Sequence, residues 1–320
     1  AVAAALDDWA CLHLVKEELP SEPATRLLEI AGLTDPDPWR LRLREAMLAA
    51  DAATLRQLTE EADIDDLSPR TLDLMGFVLG TLDRGAAAAL YRRALERYPD
   101  DDWLVYHLAY ELHHATPQRS EEALPYVTAA VASRPVFHTM AFMGEVLYGA
   151  GRLEDALAVY RRAVELDPQS AATWGNISGI LSDLGLYEEA IEPGRRAIEL
   201  DPGKPTHHSN LSTPLRHLGR LDEAEASARQ ALDLKPAYAP ALVNLGNVLG
   251  DGRQDWTGAA EAYAKADRLK PNEPVTLANL GTARGNLGEV TEGLTLIERA
   301  LDLDPSYRHA RVQQGDLLRT

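Results

Sequence analysis

The sequence has little of several things, and each shortage excludes a class of protein. Its 320 residues include one cysteine, Cys11, which excludes a disulfide framework and a cysteine-based zinc site. No apolar run approaches the roughly 20 residues that cross a bilayer, and the first residues lack the basic start of a signal peptide. The 50 acidic residues outnumber the 32 basic ones, a formal net charge of −18, whereas a nucleic-acid surface needs the opposite excess. We therefore expect a cytoplasmic protein that binds neither membrane nor nucleic acid.

Catalytic signatures are also missing. The phosphate-loop, dinucleotide-binding and zinc-protease patterns do not occur, and GNISG at 175–179 has the wrong spacing for a nucleophile elbow. His113 and His114 stand beside Glu111, but adjacent residues on a helix point about 100° apart and would not easily share an ion. The sequence therefore predicts no enzyme, no cofactor and no metal site. Because the chain begins at Ala1 and not at methionine, we expect it to belong to a longer protein.

Aromatic residues are scarce, at 6% of the chain. What the sequence does have is proline at nearly constant intervals. An alanine precedes each of these prolines by five residues, and another small residue stands seven residues before that alanine. A residue before proline avoids the α conformation, so these prolines are expected to end helices. The seven prolines are 33 to 36 residues apart: Pro99, Pro135, Pro168, Pro202, Pro236, Pro271 and Pro305.

This unit resembles the tetratricopeptide repeat, a helix–turn–helix unit of about 34 residues. In the best match, residues 137–170, Gly144 is at position 8, Ala156 at position 20, Ala163 at position 27 and Pro168 at position 32. The resemblance implies that small residues let helices approach closely. It also implies an all-α fold in which stacked helix pairs form a right-handed superhelix.

The repeat frame divides the chain into three parts. We predict divergent helical repeats at 1–67, seven tandem repeats at 68–307 and a capping helix at 308–320. The seven repeats are 68–101, 102–136, 137–170, 171–204, 205–238, 239–273 and 274–307. Two prolines, Pro193 and Pro214, fall inside predicted helices and are expected to kink them. The other prolines are expected at repeat ends, first turns or insertions.

In the resembled family, a second stripe of the first helix (positions 2, 5, 6, 9, 12 and 13) lines the concave side and contacts peptides. Small residues on this stripe, such as Gly175, Ser209 and Ala278, are expected to leave room for a chain. An amide can donate to and accept from a peptide backbone at once. The predicted peptide contacts are four asparagines at position 6 and one at position 9: Asn176, Asn210, Asn244, Asn279 and Asn247. This row is similar to the asparagine ladder of O-linked N-acetylglucosamine transferases. The alternative is that asparagine at this position belongs to the fold alone.

The same stripe of the two preceding repeats is aromatic and rich in histidine. It holds Tyr106, His107, Tyr110, His113, His114, His138, Phe142, Glu145 and Tyr148. Exposed aromatic side chains often anchor interfaces. We therefore predict that Tyr106, His107, Tyr110 and Tyr148 also contact a peptide. The alternative is that an insertion after Ala115 shifts the register and buries some of these residues.

These features predict a protein–protein interaction scaffold that binds an extended, neutral or basic protein segment. The strings ALDDWA, LTDPDPWRLRLREAM and LYRRALERYPDDDW resemble the C-terminal region of large bacterial Ser/Thr protein kinases. This resemblance implies the non-catalytic part of a kinase-linked signalling protein. Two alternatives are a substrate-selecting arm of an O-linked glycosyltransferase and a self-assembly module that forms a homo-oligomer.

Overall fold

A computed structural model describes residues 37–319, together with Arg26 and Ile30. The structure over these residues is helical and contains no strand, so the predicted all-α class is confirmed. The helix pair predicted for 1–33, including Cys11, lies outside the described residues apart from Arg26 and Ile30, which are helical. No helix in the described part of the chain has the length and apolar character needed to span a bilayer.

Seventeen α-helices occupy the described ranges, and consecutive helices form the two arms of each repeat. They are α1 (Pro38–Leu48), α2 (Ala52–Glu61), α3 (Pro69–Leu82), α4 (Arg84–Arg97), α5 (Asp102–His113), α6 (Ser120–Ser133), α7 (Phe137–Gly149), α8 (Leu153–Leu166), α9 (Ala171–Asp183), α10 (Tyr187–Leu200), α11 (Pro205–His217), α12 (Leu221–Leu234), α13 (Ala239–Asn247), α14 (Trp256–Leu269), α15 (Pro274–Asn286), α16 (Val290–Leu303) and α17 (Arg308–Leu317). A short 3₁₀-helix, Ile64–Asp66, precedes α3, and a π-helix, Val248–Gly252, extends α13.

The chain forms two compact units that divide after Ala163, within α8. In the first unit, the helices from α1 to α7 pack in chain order, each against the next. In the second unit, the helices from α9 to α17 do the same. Each unit is thus a stack of helix pairs in which a repeat buries its apolar face against its neighbour.

The repeat prolines mark helix ends as predicted. Helix α4 ends two residues before Pro99, and α16 ends two residues before Pro305. In both cases the residue after the helix donates its N–H to the carbonyl of the alanine at position 27. Many of the first helices begin at a polar cap; the Ser170 hydroxyl, for example, accepts from the N–H of Thr173 at 3.3 Å.

The turn between the two helices of a repeat uses glycine in a left-handed conformation. At position 15, φ is +73° for Gly151, +76° for Gly185, +73° for Gly219 and +86° for Gly288. A side chain is disfavoured at these angles, so glycine ends the first helix at little conformational cost.

The predicted small positions are buried. Alanines at position 20, such as Ala156 and Ala224, have no exposed surface, and those at position 27 are at most 2% exposed. Positions 8 and 24 of one repeat face each other, and the larger side chain can stand at either position. The sequence did not predict this complementarity. A Cβ at Gly144 would lie 2.7 Å from the ring of Tyr160 at position 24. In the following repeat, Ser178 occupies position 8 and the glycine is at position 24.

A serine at position 8 adds a hydrogen bond between the two helices of its repeat. The buried Ser178 hydroxyl donates to the carbonyl of Ala190 at 2.8 Å, and Ser212 makes the equivalent bond to Ala224 at 2.8 Å. Both acceptors are at position 20 of the same repeat. The hydroxyl therefore joins the two helices of its repeat while satisfying its own donor.

Proline inside a helix proves more common than the sequence suggested. Helices α10 and α11 continue past Pro193 and Pro214. Pro125 also lies inside a helix, at the sixth residue of α6. The expectation that only two prolines would be internal was therefore wrong, because α6 begins at Ser120 and so includes Pro125.

Candidate functional site

The asparagine row of the second unit is tied to the chain's own backbone. The side-chain nitrogen of Asn210 donates to the carbonyl of Gly175 at 3.4 Å. That of Asn244 donates to the carbonyl of Ser209 at 2.9 Å and contacts its hydroxyl at 3.1 Å. Both acceptors are at position 5 of the preceding repeat. Each half-buried amide therefore holds the first helix of its repeat against the first helix before it.

Asn279 uses a side chain as its acceptor. Its nitrogen donates to the side-chain oxygen of Asn247 at 3.2 Å, and the hydroxyl of Tyr263 donates to the same oxygen at 2.7 Å. Burial raises the pKa of Tyr263, so the phenol keeps its proton and stays a donor. Asn176 is also half-buried, at position 6 of the first repeat in this unit. All five predicted asparagines thus lie in the second unit, and four of them take part in these bonds, Asn210, Asn244 and Asn279 as donors and Asn247 as an acceptor.

Position 5 does not line the surface as predicted. Gly175, Ser209 and Ala278 are buried, Ser209 to 2% exposure and Ala278 completely. A Cβ at Gly175 would lie 2.7 Å from a ring nitrogen of His207, in the first helix of the next repeat. Gly175 and Ser209 contact the following repeat, through His207 and Asn244 respectively, so the expectation that these small residues leave room for a ligand is corrected.

The aromatic residues of the first unit differ in depth, from a buried phenylalanine to an exposed tyrosine. Phe142 is 5% exposed, and its ring centre lies 5.2 Å from that of Tyr106 and 5.8 Å from that of Tyr110. The two tyrosines are half-buried, whereas Tyr148 is 48% exposed. Phe142 is therefore a core residue beneath the tyrosines, as the alternative interpretation allowed.

His107 is also engaged within the protein. Its Nδ1 lies 2.5 Å from a carboxylate oxygen of Asp73 in the preceding repeat. Its ring packs near those of Phe77, Tyr91 and Trp103, with centres 6.0 to 6.3 Å away. The side chain remains 18% exposed, so one edge of this predicted contact residue reaches the surface.

His113 and His114 come together although they are adjacent in sequence. Their ring centres are 4.8 Å apart, edge to face. His114 follows the last residue of α5 and has φ −90° and ψ 5°, so it has left the helical geometry on which the contrary expectation rested. Burial and the neighbouring His114 lower the pKa of His113 to about 4, which leaves its imidazole neutral at neutral pH.

The carboxylate beside this pair is Glu145, not Glu111. One ligand atom each from His113, His114 and Glu145 lie within 4.8 Å of one another. Glu111 is instead buried against the guanidinium of Arg84 at 3.0 Å, and its burial raises its pKa. The sequence placed Glu145 on the same stripe as the two histidines but did not pair it with them, because it belongs to the next repeat. The signal that would pair them is their separation of about one repeat length.

Comparisons with known proteins bear on these repeats. A family model for the tetratricopeptide repeat matches residues 113–171, 143–205 and 215–274. A tetratricopeptide repeat protein of Parabacteroides merdae is similar in structure, with a TM-score of 0.66 and 13% identity over 78% of this chain and 98% of that one. A thermophilic one of Thermus thermophilus has a TM-score of 0.52 and 23% identity over 58% of this chain and 100% of that one. No curated protein matches the chain. At these identities the structural likeness concerns the fold alone.

Proposed function

We propose that this chain, whose units are stacks of tetratricopeptide repeats, is a protein–protein interaction scaffold that binds an extended segment along its first helices. The observation that carries the proposal is the row of half-buried amides at position 6: Asn176, Asn210, Asn244 and Asn279. An amide that donates through its nitrogen keeps its oxygen as an acceptor. Asn210, Asn244 and Asn279 therefore offer acceptors to the backbone N–H groups of a bound segment.

The spacing of the row suits an extended chain. Packed helix axes are about 8–10 Å apart, and an extended peptide advances about 3.3 Å per residue. One amide per repeat would thus meet roughly every third residue of the segment. The bonds from Asn210 and Asn244 to the preceding helix hold these amides in place, which lowers the conformational cost of binding.

The first unit, taken by itself, offers side-chain anchors to an extended segment. Tyr106 and Tyr110 expose part of their rings, and Tyr148 is the most open of the group. Partly exposed tyrosines give large contact area at low entropic cost, as in many interfaces. The net charge of −18 favours a neutral or basic segment and predicts weaker binding at high salt.

We also propose that the chain is the non-catalytic, cytoplasmic part of a kinase-linked signalling protein. The support is the resemblance of LTDPDPWRLRLREAM at 33–47 and LYRRALERYPDDDW at 90–103 to the region that follows such kinase domains. The flanking reading frame tests this directly. A kinase domain encoded upstream supports the link, and a glycosyltransferase domain or none contradicts it.

A peptide-binding assay tests the scaffold proposal. A library of basic and neutral extended peptides is screened against the whole chain, and the best ligand is titrated into an Asn210→Ala/Asn244→Ala/Asn279→Ala variant. We expect at least a tenfold loss of affinity, since each buried polar partner contributes about 1 kcal/mol. Circular dichroism checks that helicity is retained.

The matched control removes amides away from the row. Asn286 and Gln230 are exposed, so Asn286→Ala/Gln230→Ala should bind the peptide as the unaltered chain does. Equal binding by the triple variant and the control would contradict the amide row. Failure of every peptide to bind, with a concentration-dependent increase in mass by light scattering, would favour the self-assembly alternative instead.

A further inference from the structure

We propose that His113, His114 and Glu145 form a binding site for a divalent transition-metal ion of the zinc class. The site lies within the first unit. Two of its ligands come from the end of α5 and the third from α7, the first helices of neighbouring repeats. This proposal does not depend on the peptide-binding function.

The distances are close to those of a zinc site. Zinc–nitrogen and zinc–oxygen bonds are about 2.0–2.2 Å, so ligand atoms in a tetrahedral site lie about 3.4 Å apart. The three atoms here lie within 4.8 Å of one another, so the widest separation would have to close by about 1.4 Å. Glu145 is exposed, and rotation of its flexible side chain can supply this movement.

The histidine rings are already oriented for binding. Nδ1 of His114 donates to the carbonyl of Tyr110 at 3.0 Å, which leaves the lone pair on Nε2. A second-shell carbonyl of this kind fixes the tautomer of a metal-bound histidine. The ring of His114 also stacks on Tyr110, with centres 4.1 Å apart. The orientation is therefore set by both a hydrogen bond and packing.

His113 is held from its other side. The Ser120 hydroxyl lies 3.1 Å from its Nδ1 and can accept that proton, which again leaves Nε2 for an ion. Gly149 leaves room for this hydroxyl, because a Cβ there would lie 2.6 Å from the Ser120 oxygen. The side-chain nitrogen of Gln118 lies 3.2 Å from Nδ1 and 3.3 Å from Nε2, and it would release Nε2 when the ion binds.

The donor set selects the class of ion. Two neutral imidazoles and one carboxylate suit zinc, cobalt, nickel and copper, whereas calcium and magnesium need about six oxygen ligands. Three protein ligands leave a fourth position for water or for a donor from a bound partner. An ion here would also tie α5 to α7, so binding should stabilise the first unit.

Cobalt(II) titration provides the first test, because tetrahedral coordination gives visible absorption bands. We expect one saturable site, with zinc displacing the cobalt. Since losing a second-shell partner alone lowers metal affinity about 10- to 100-fold, His114→Ala and Glu145→Ala should each lower affinity by at least about tenfold. His138→Ala is the matched control, because His138 is an exposed histidine on the same helix as Glu145.

The result that overturns the proposal is clear-cut. Absence of a one-to-one cobalt complex would do so, as would equal losses in Glu145→Ala and His138→Ala. Because His114→Ala can perturb the stacking on Tyr110, thermal unfolding provides a second measurement. Zinc should raise the unfolding midpoint of the unaltered chain and of His138→Ala but not that of Glu145→Ala. A zinc-induced rise that survives in Glu145→Ala would also contradict the site.

Discussion

The two units use the same repeat position to reach the preceding repeat, but with different chemistry. At position 6 of the first unit, His107 contacts the carboxylate of Asp73, and Phe142 packs on Tyr106. At position 6 of the second unit, Asn210 and Asn244 donate to main-chain carbonyls. A hydrogen bond to a main-chain carbonyl needs no particular side chain in the neighbouring repeat, so the same bond can recur from one repeat to the next. The ring contacts and the histidine–carboxylate contact of the first unit each need a particular side chain in the neighbouring repeat, so they differ from one repeat to the next.

This difference predicts an unequal cost when position 6 is truncated. Phe142→Ala should lower the free energy of unfolding of the first unit by about 3 kcal/mol, because a buried ring leaves a cavity. Chemical denaturation, followed by hydrogen exchange in α5 and α7, measures the effect. Tyr148→Ala is the control; its side chain is 48% exposed, and its loss should change stability by less than about 0.5 kcal/mol. Equal costs in the two variants would contradict the layered arrangement.

Acid should weaken the first unit through His113. The folded pKa of about 4 lies below the ordinary value of 6.5, so the unfolded chain takes up the proton first as the pH falls. Stability is therefore lost as the pH falls from about 6.5 towards 4, by about 2 kcal/mol at about pH 5. His113→Gln should remove this part of the pH dependence in unfolding titrations with a chelator present. An unchanged pH profile in that variant would show that another group is responsible.

The second unit should respond more mildly to loss of an amide. Asn244→Ala removes a bond to the carbonyl of Ser209, and we expect it to cost about 1 kcal/mol. Asn286→Ala is the matched control, since its exposed amide bonds only within its own helix, to Thr282. Urea denaturation compares the two. If Asn244→Ala is no more costly than the control, the amide does not tie the helices.

The smallest change in the free energy of unfolding is expected when an amide, as in the second unit, replaces the carboxylate of the first. Asp73→Asn replaces the carboxylate beside His107 by an amide that can still form a hydrogen bond. We expect a loss of about 0.5 kcal/mol, because the pair is partly exposed and water screens it. The loss should shrink when unfolding is measured at high salt. A loss that does not depend on salt would mean that packing, and not charge, holds His107.

Much of the fold follows from local rules. Glycine at position 15, alanine at positions 20 and 27 and proline at position 32 each act within one repeat, and the structure confirms them at Gly151, Ala156 and Pro168. The surface was harder to predict, because it depends on the neighbouring repeat. Positions 5 and 6 are adjacent on one helix, yet Ser209 is buried and Asn210 is half-buried, since only position 5 lies under the next helix.

The histidine cluster shows the same limit. The sequence paired His113 with Glu111, its neighbour along the chain, but stacking brings Glu145 to it instead. The end of α5 also frees His114 from helical geometry, which the spacing of two adjacent residues does not reveal. The asparagine row is visible in the sequence, and its binding to a peptide stays a prediction. The bonds that the row makes within the protein emerge only from the packing of successive repeats.

The matching of a large residue with a small one at positions 8 and 24 has a consequence for recombination. Gly144 needs the ring of Tyr160 opposite it, whereas Ser178 needs a glycine, Gly194, there. A crossover within the turn between the two helices of a repeat would place a tyrosine against a serine, or a glycine against a glycine. The first product is overpacked and the second has a hole. A crossover at the prolines between repeats keeps each matched pair together, whereas a crossover at the glycine turn within a repeat separates it.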